Sequence, residues 1–216
     1  MSSASTFQLS FINDLPAGFH VLRGMVEPQA QKRLVELVRG LCREAPLIQP
    51  RTMYGTDFNL KITSWGAVGW LSDKSGYHYS PAHPKTERAW PEIPDEVRAL
   101  MMRASVEAGF GEFDLQTVLV NFYTRDAGKL GHHRDKTEKE LTAPIVTVSL
   151  GDSCVFGIGG PNYSDPVQEI ALDSGDVVVQ GGPARMYYHE VLRILPGSSN
   201  LLKQGGRISL TGRRYI

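Results

Sequence analysis

A short polar segment, 131–138 (GHHRDKTE), carries two adjacent histidines and an aspartate. If this segment is extended, side chains two apart share a face, so His133 and Asp135 converge while His132 points away. One imidazole and one carboxylate do not hold a catalytic metal, and a solvated surface loop offers the same residues. A second histidine would complete the two-histidine, one-carboxylate face that leaves positions open on Fe(II) for O2 and a co-substrate.

His189 is the candidate for that second histidine. It lies in a strand-like run, RMYYHEVL, just after the turn GGPA. A jelly roll brings strands that are distant in sequence together, so His133, Asp135 and His189 could form one three-ligand face. Taken alone, His189 also fits a hydrogen-bonded core histidine.

Two arginines strengthen the metal hypothesis. Arg207 and Arg213 lie six residues apart in RISLTGR, so strict alternation places both on one face of a strand. Two guanidinium groups inside a barrel are costly to desolvate unless an anion receives them, and their planar fork suits carboxylates. A dicarboxylate with one end on the metal and the other on an arginine would satisfy both. Asn121 and Tyr123, which are also two residues apart, could add an amide and a phenol to this pocket. The alternative for Arg207 and Arg213 is that both are exposed arginines near a chain end.

The elements that must position these residues are mostly strands. Apolar residues at helical spacing predict two helices, at 27–44 and from Pro94 to Gly109, each packing one face on a sheet. Short β-rich runs separated by turn residues predict a mainly β (α+β) protein of the sandwich or jelly-roll kind. The predicted strands are 115–123, 145–150, 154–158, 167–172, 176–180, 186–192 and 207–215.

Composition excludes several classes of protein. The 216 residues suit one domain, and 23 basic against 23 acidic side chains exclude a polycationic nucleic-acid binder. Cys42 and Cys154 lack paired spacing, which excludes a cysteine-based zinc module and a disulfide scaffold and favours a reducing cytoplasm. No apolar run approaches the roughly 20 residues of a membrane span, and no secretion signal is visible. We therefore expect a cytoplasmic protein without a membrane partner.

The sequence resembles the AlkB-type Fe(II)/2-oxoglutarate-dependent dioxygenases over 65–213. The likeness is carried by GWLSDKSGYHYSP, VNFYTRDAGKLGHHRDK, APIVTVSLG, GDVVVQGGPARMYYH and RISLTGR. It implies a double-stranded β-helix (jelly roll) that uses Fe(II), 2-oxoglutarate and O2. The implied activity is oxidative demethylation of N-alkylated bases of the 1-methyladenine and 3-methylcytosine type in DNA. This direct reversal of alkylation damage releases formaldehyde, succinate and CO2.

The resemblance also implies roles for individual residues of the iron and co-substrate sites. Matched by position, the iron ligands are His133, Asp135 and His189, and Arg207 pairs with the distal carboxylate of 2-oxoglutarate with help from Tyr123. The residues matched near the metal-bound end or the body of the co-substrate are Asn121, Ser209 and Arg213.

For the substrate, the resemblance matches Trp70, Tyr77 and Tyr79 to the aromatic floor and lid around a flipped base, where hydrophobic packing is the alternative. Lys136 could contact a phosphate, or remain a solvated lysine. Four positions depart from the best-known bacterial pattern. Thr137 replaces an acidic residue that reads the exocyclic amine of the base, and Tyr163 replaces an arginine beside the substrate. Gln180 replaces a tryptophan, and Ser209 replaces an asparagine. The first two departures leave the choice of base open.

We expect a single domain over 1–216, with 1–6 disordered, a nucleotide-recognition lid at 45–92 and the catalytic jelly-roll core at 113–216. The expected partner of this monomer is alkylated single- or double-stranded DNA. One alternative is an AlkB-like oxygenase acting on a modified RNA or tRNA base. A second is a non-catalytic jelly roll that binds a structural metal, although such a site has no use for the paired arginines.

Overall fold

Two antiparallel sheets enclose the centre of the protein. A computed structural model describes residues 15–126 and 128–216, so the segment 1–6 that was predicted to be disordered lies outside the described residues. The larger sheet has six strands, in the order β1 (Phe19–Leu22), β10 (Val177–Gln180), β7 (Ile145–Gly151), β12 (Arg207–Arg213), β5 (Thr117–Tyr123) and β2 (Lys61–Gly66). The smaller sheet has four, in the order β6 (Leu130–His133), β11 (His189–Ile194), β8 (Cys154–Ile158) and β9 (Gln168–Leu172). The prediction of a mainly β jelly roll is confirmed.

Two helices flank the large sheet, as predicted. Helix α1 (Pro28–Glu44) buries the stripe Leu34, Val35, Val38 and Leu41 and contacts β2. Helix α2 (Asp95–Glu107) lies against β7 and β10. Among the described residues, no helix combines the length and the apolar character that a bilayer crossing requires.

Strand β12 shows how alternation positions the site. Ile208 and Leu210 are core residues on one face, whereas Arg207, Ser209 and Arg213 belong to the other face and line the central cavity. Pairing with β5 sets Arg207 opposite Tyr123, and Ser209 opposite Asn121. The polar face of the sheet therefore collects residues from two neighbouring strands in the interior.

A third, two-stranded sheet, β3 (Gly69–Asp73) and β4 (Gly76–Ser80), carries the predicted aromatic residues. It lies within the predicted lid 45–92, but β2, which lies there too, is an integral strand of the large sheet.

The predicted strand 186–192 was placed wrongly at its start. Gly182–Met186 forms a 3-10 turn, and the strand begins only at His189. The turn GGPA was recognised in the sequence, but the β-rich residues that follow it extended the predicted strand back to Met186, the last residue of this 3-10 turn, which begins at Gly182 with φ 51°. Strands β1, β2, β3, β4 and β6 were not predicted, because each is short or polar on one face.

Candidate active site

Three side chains converge where β6 meets β11. His189 pairs with His133 across the two strands, and their ring centroids lie 4.4 Å apart. Asp135, two residues after His133, brings Oδ1 to 3.8 Å from His133 Nε2. One ligand atom from each of the three residues lies within 4.8 Å of the other two. The set could hold one metal ion on one face.

Hydrogen bonds orient these three side chains. His133 Nδ1 lies 2.8 Å from the carbonyl oxygen of Gly131, a pairing that fixes the tautomer and leaves Nε2 free for a metal. Arg213 donates from Nε and Nη2 to Asp135 Oδ2, at 2.9 and 2.7 Å, which leaves Oδ1 available. His132 instead stacks on Tyr188, with ring centroids 5.1 Å apart.

The electrostatics favour the protonation states that bind metals. Burial, with a further contribution from His133, lowers the pKa of His189 to about 3, so its imidazole is neutral. Burial alone would raise the pKa of Asp135, but the Arg213 guanidinium and the two histidines outweigh it and hold that pKa below its usual value. The neutral imidazole of His189, the ionised carboxylate of Asp135 and the imidazole of His133 are a donor set that fits Fe(II).

Arg207 is a buried cation with unused donors. It is 1% exposed, and its Nη2 donates to Ser149 Oγ at 3.0 Å. Among the described residues, nothing accepts from its Nε or Nη1, nor from Nη1 of Arg213. Buried N–H groups of this kind are costly unless an anion receives them, so the pocket fits a carboxylate such as the distal end of 2-oxoglutarate.

Neutral polar groups accompany that arginine. Burial raises the pKa of Tyr123 to about 12, so its phenol stays protonated and can donate a hydrogen bond. Asn121 Nδ2 donates to Ser209 Oγ at 3.3 Å, so the serine hydroxyl still forms a hydrogen bond where the bacterial pattern has asparagine. Gln180 donates from Nε2 to the carbonyl oxygens of Ala184 and Tyr187, at 2.7 and 3.1 Å, which fixes its amide in the cavity wall.

A cavity of about 430 Å³ joins the three-ligand face to the arginines and to an aromatic wall. Trp70 and Tyr77 form that wall, with ring centroids 5.5 Å apart. Of the residues predicted to contact substrate or co-substrate, those that line this cavity are Trp70, Tyr77, Asn121, Tyr123, Lys136, Thr137, Arg207, Ser209 and Arg213.

Tyr79 and Tyr163 are not among the cavity-lining residues. The Tyr79 hydroxyl donates to Glu138 Oε1 at 2.5 Å. Tyr163 is 68% exposed and packs edge-on against His132 and Tyr188. Neither tyrosine therefore forms part of the cavity wall, although Tyr79 pairs with Trp70 across β3 and β4.

Glu138 is a buried carboxylate that sequence reasoning missed. Its Oε2 accepts from Arg185 Nη2 at 3.1 Å, and its Oε1 lies 3.6 Å from Arg213 Nε. With the Tyr79 bond, one side chain ties strand β4, the 3-10 turn and β12 together. The available signals were its place three residues after Asp135 and the arginine in the turn GGPAR.

We expect Glu138→Gln to lower the free energy of unfolding by about 3 kcal/mol, because the buried Arg185 guanidinium loses its counter-charge. Urea unfolding of the two proteins measures this. Glu112→Gln, at an exposed carboxylate, is the matched control and should stay within about 0.5 kcal/mol. Equal stability of the Glu138 and Glu112 variants would contradict the role of Glu138.

A jelly roll with a two-histidine, one-carboxylate face beside a buried arginine that can receive a carboxylate is typical of an Fe(II)/2-oxoglutarate oxygenase. The family model for the 2OG-Fe(II) oxygenase superfamily matches residues 18–213. An alpha-ketoglutarate-dependent dioxygenase AlkB homolog of Caulobacter vibrioides is 43% identical over 91% of this chain and 87% of its own. AlkB of Escherichia coli is 37% identical over 85% of this chain and 84% of its own. This chain belongs to the AlkB-type branch of that superfamily.

The structural comparison agrees with this membership. The solved structure of OsALKBH1 superposes with a TM-score of 0.80 at 26% identity, and it covers 93% of this chain and all of its own. The protein is therefore a dioxygenase, and its cofactors are Fe(II), 2-oxoglutarate and O2, as predicted. The alternative of a non-catalytic metal-binding jelly roll is set aside.

Proposed function

We propose that this dioxygenase removes methyl groups from ring nitrogens of 1-methyladenine and 3-methylcytosine in DNA, and so reverses alkylation damage directly. The observation that carries the proposal is the shared cavity, in which Trp70 and Tyr77 stand beside the three-ligand face. An aromatic wall next to an oxidising centre suits a flat base that has left its stack.

His133, Asp135 and His189 hold the iron in this proposal, and Arg207 receives the distal carboxylate of 2-oxoglutarate. Iron bound with 2-oxoglutarate and O2 supplies the oxidising power that acts on the N-alkyl carbon. Arg213 keeps Asp135 ionised and correctly oriented through its two hydrogen bonds.

The proposed base site is mostly apolar. Trp70 and Tyr77 would stack on the flipped base, and their ring faces favour the positive charge of a methylated adenine or cytosine. Lys136 is exposed at the cavity and could contact a phosphate. Thr137 offers a hydroxyl where the bacterial pattern has a carboxylate, so reading of an exocyclic amine would be weaker. Tyr163 lies outside the cavity and could contact only flanking parts of the polymer.

Two more distant relatives carry names that state a substrate. A DNA N(6)-methyladenine demethylase of Arabidopsis thaliana is 30% identical over 92% of this chain, and a tRNA demethylase of Schizosaccharomyces pombe is 28% identical over 79%. The second makes a modified RNA base the rival substrate. The chemistry would be the same, and the polymer distinguishes the two functions.

The test is a mass-spectrometric assay with purified protein, Fe(II), ascorbate and 2-oxoglutarate. The substrates are single-stranded DNA and RNA oligomers, each with one 1-methyladenine or one 3-methylcytosine. Loss of a methyl mass from DNA, dependent on iron and 2-oxoglutarate, is the expected result. Faster loss from RNA would favour the rival, and succinate without any change in the oligomers would overturn both substrates.

A further inference from the structure

We propose that Gln180 is a positioning residue for the iron ligand His189, and that it acts through the carbonyl oxygen of Tyr187. The inference rests on the ligand role of His189 in the proposed function. It extends that role to a residue that would act without binding the metal. The bacterial pattern has a tryptophan at this position, so the device belongs to this chain.

The segment that delivers His189 to the site is irregular. A 3-10 turn occupies Gly182–Met186 and β11 begins only at His189, so Tyr187 lies between the two elements. His133 differs, because it and Gly131 both lie within β6. The ladder of a sheet holds the carbonyl groups inside it, whereas a carbonyl between elements needs another donor.

Gln180 supplies that donor. Its side chain is buried at the end of β10, and its Nε2 donates to Tyr187 O at 3.1 Å and to Ala184 O at 2.7 Å. Ala184 O also accepts from Tyr187 N at 2.9 Å, so the amide joins the bond that closes the turn. An amide nitrogen has two hydrogens for these two acceptors, whereas an indole has a single N–H.

The carbonyl that Gln180 holds is the one that His189 faces. His189 Nδ1 lies 3.4 Å from Tyr187 O, and His133 Nδ1 lies 2.8 Å from the equivalent carbonyl of Gly131. A neutral imidazole carries its proton on one nitrogen, and a carbonyl beside Nδ1 selects the form whose Nε2 is free for a metal. At 3.4 Å the bond to His189 is weak, so a small shift of the carbonyl would break it.

Ring packing alone does not select this tautomer. Phe156 stacks on His189, with ring centroids 5.8 Å apart and planes 19° from parallel. Such a contact fixes the plane of the imidazole and is the same for both tautomers. The bond to Tyr187 O distinguishes them. Loss of the Gln180 amide should therefore alter the tautomer of His189 and the affinity for metal, and not only the stability of the turn.

The test uses the full-length variant Gln180→Met, which keeps the length of the side chain and removes both donors. Titration with Co(II), followed by visible absorption, measures metal affinity without turnover. We expect the affinity to fall about tenfold or more, as when a metal-bound histidine loses its partner. Gln31→Met is the matched control, because Gln31 Nε2 also donates to two carbonyl oxygens, those of Val26 and Ser174. Its Co(II) affinity should stay within about twofold of the wild type.

A double-mutant cycle with His189→Phe separates positioning from folding. Phenylalanine can retain the stack on Phe156 and removes the ligand, so adding Gln180→Met to this background should change Co(II) affinity less than about twofold. An equal loss in both backgrounds would make Gln180 a structural residue and overturn the inference. An unchanged affinity in Gln180→Met alone would also overturn it.

A second measurement reads the imidazole without metal. Long-range proton–nitrogen NMR spectra of the metal-free proteins should show the Nδ1–H form of His189 in the wild type and in Gln31→Met, and both forms in Gln180→Met. The same single form in all three proteins would contradict the role of Gln180. If His189→Phe binds Co(II) as tightly as the wild type, the proposed ligand role of His189 fails. The NMR spectra then still decide whether Gln180 sets the tautomer.

Discussion

Asp135→Ala should abolish turnover, with a loss well above the roughly 100-fold that follows removal of a residue that only supports a metal ligand. The carboxylate supplies one of three ligand positions, and its Oδ2 also pairs with Arg213. Without it, two imidazoles remain to hold the iron, and a buried guanidinium loses its partner. Succinate formation and product mass at increasing Fe(II) measure the effect. Retained activity at saturating iron would contradict the metal assignment.

The adjacent histidines provide a matched pair of controls for the same site. His133→Phe removes a proposed ligand and should reduce Fe(II) affinity strongly. His132→Phe should leave Fe(II) affinity unchanged, because His132 stacks on Tyr188 and a phenyl ring preserves that contact. Equal loss of iron binding in both variants would show that the effect comes from the fold and not from ligation.

Arg207→Ala should weaken 2-oxoglutarate binding by about 2–4 kcal/mol, because one partner of a buried charge pair is removed. Such a loss corresponds to a rise of about 30- to 1000-fold in the 2-oxoglutarate concentration that half-saturates the enzyme. The arginine is 1% exposed, and its Nε and Nη1 have no acceptor among the described residues. These two nitrogens are therefore available to a carboxylate of 2-oxoglutarate. Titration of 2-oxoglutarate in the succinate assay measures the change.

Two further arginine variants sharpen that result. Arg207→Lys keeps the charge but loses the planar fork, so it should recover only part of the affinity. Arg214→Ala removes a partly exposed arginine at the same end of the chain and should leave 2-oxoglutarate affinity unchanged. An unaltered affinity in Arg207→Ala would remove this residue from the co-substrate site.

Strand periodicity was sufficient to predict the polar face of the site. Arg207 and Arg213 share a face because their separation is even, and the same rule links Asn121 to Tyr123. The pairing of His133 with His189 could be expected only as a general property of jelly rolls. The two strands are far apart in sequence and are neighbours in the smaller sheet, and no local pattern encodes their register.

Other parts of the site depend on tertiary contacts that the sequence does not display. Glu138 follows the metal-binding segment and resembles a solvated acid, yet Tyr79 and Arg185 from distant segments enclose it. The predicted strand began three residues before His189 because Met186, Tyr187 and Tyr188 favour strands locally.

The buried guanidinium of Arg207, whose Nε and Nη1 have no acceptor in the part of the chain that the structure describes, links the stability of the protein to its co-substrate. A ligand that binds only the folded state raises the free energy of unfolding by about 2.7 kcal/mol at a hundred times its dissociation constant. Each N–H of Arg207 that lacks an acceptor is a cost to the ligand-free fold, and a bound dicarboxylate removes it. We therefore expect the melting temperature to rise with 2-oxoglutarate concentration in the wild type and to respond little in Arg207→Ala. In a cell, the lifetime of the enzyme would then follow the supply of its own co-substrate.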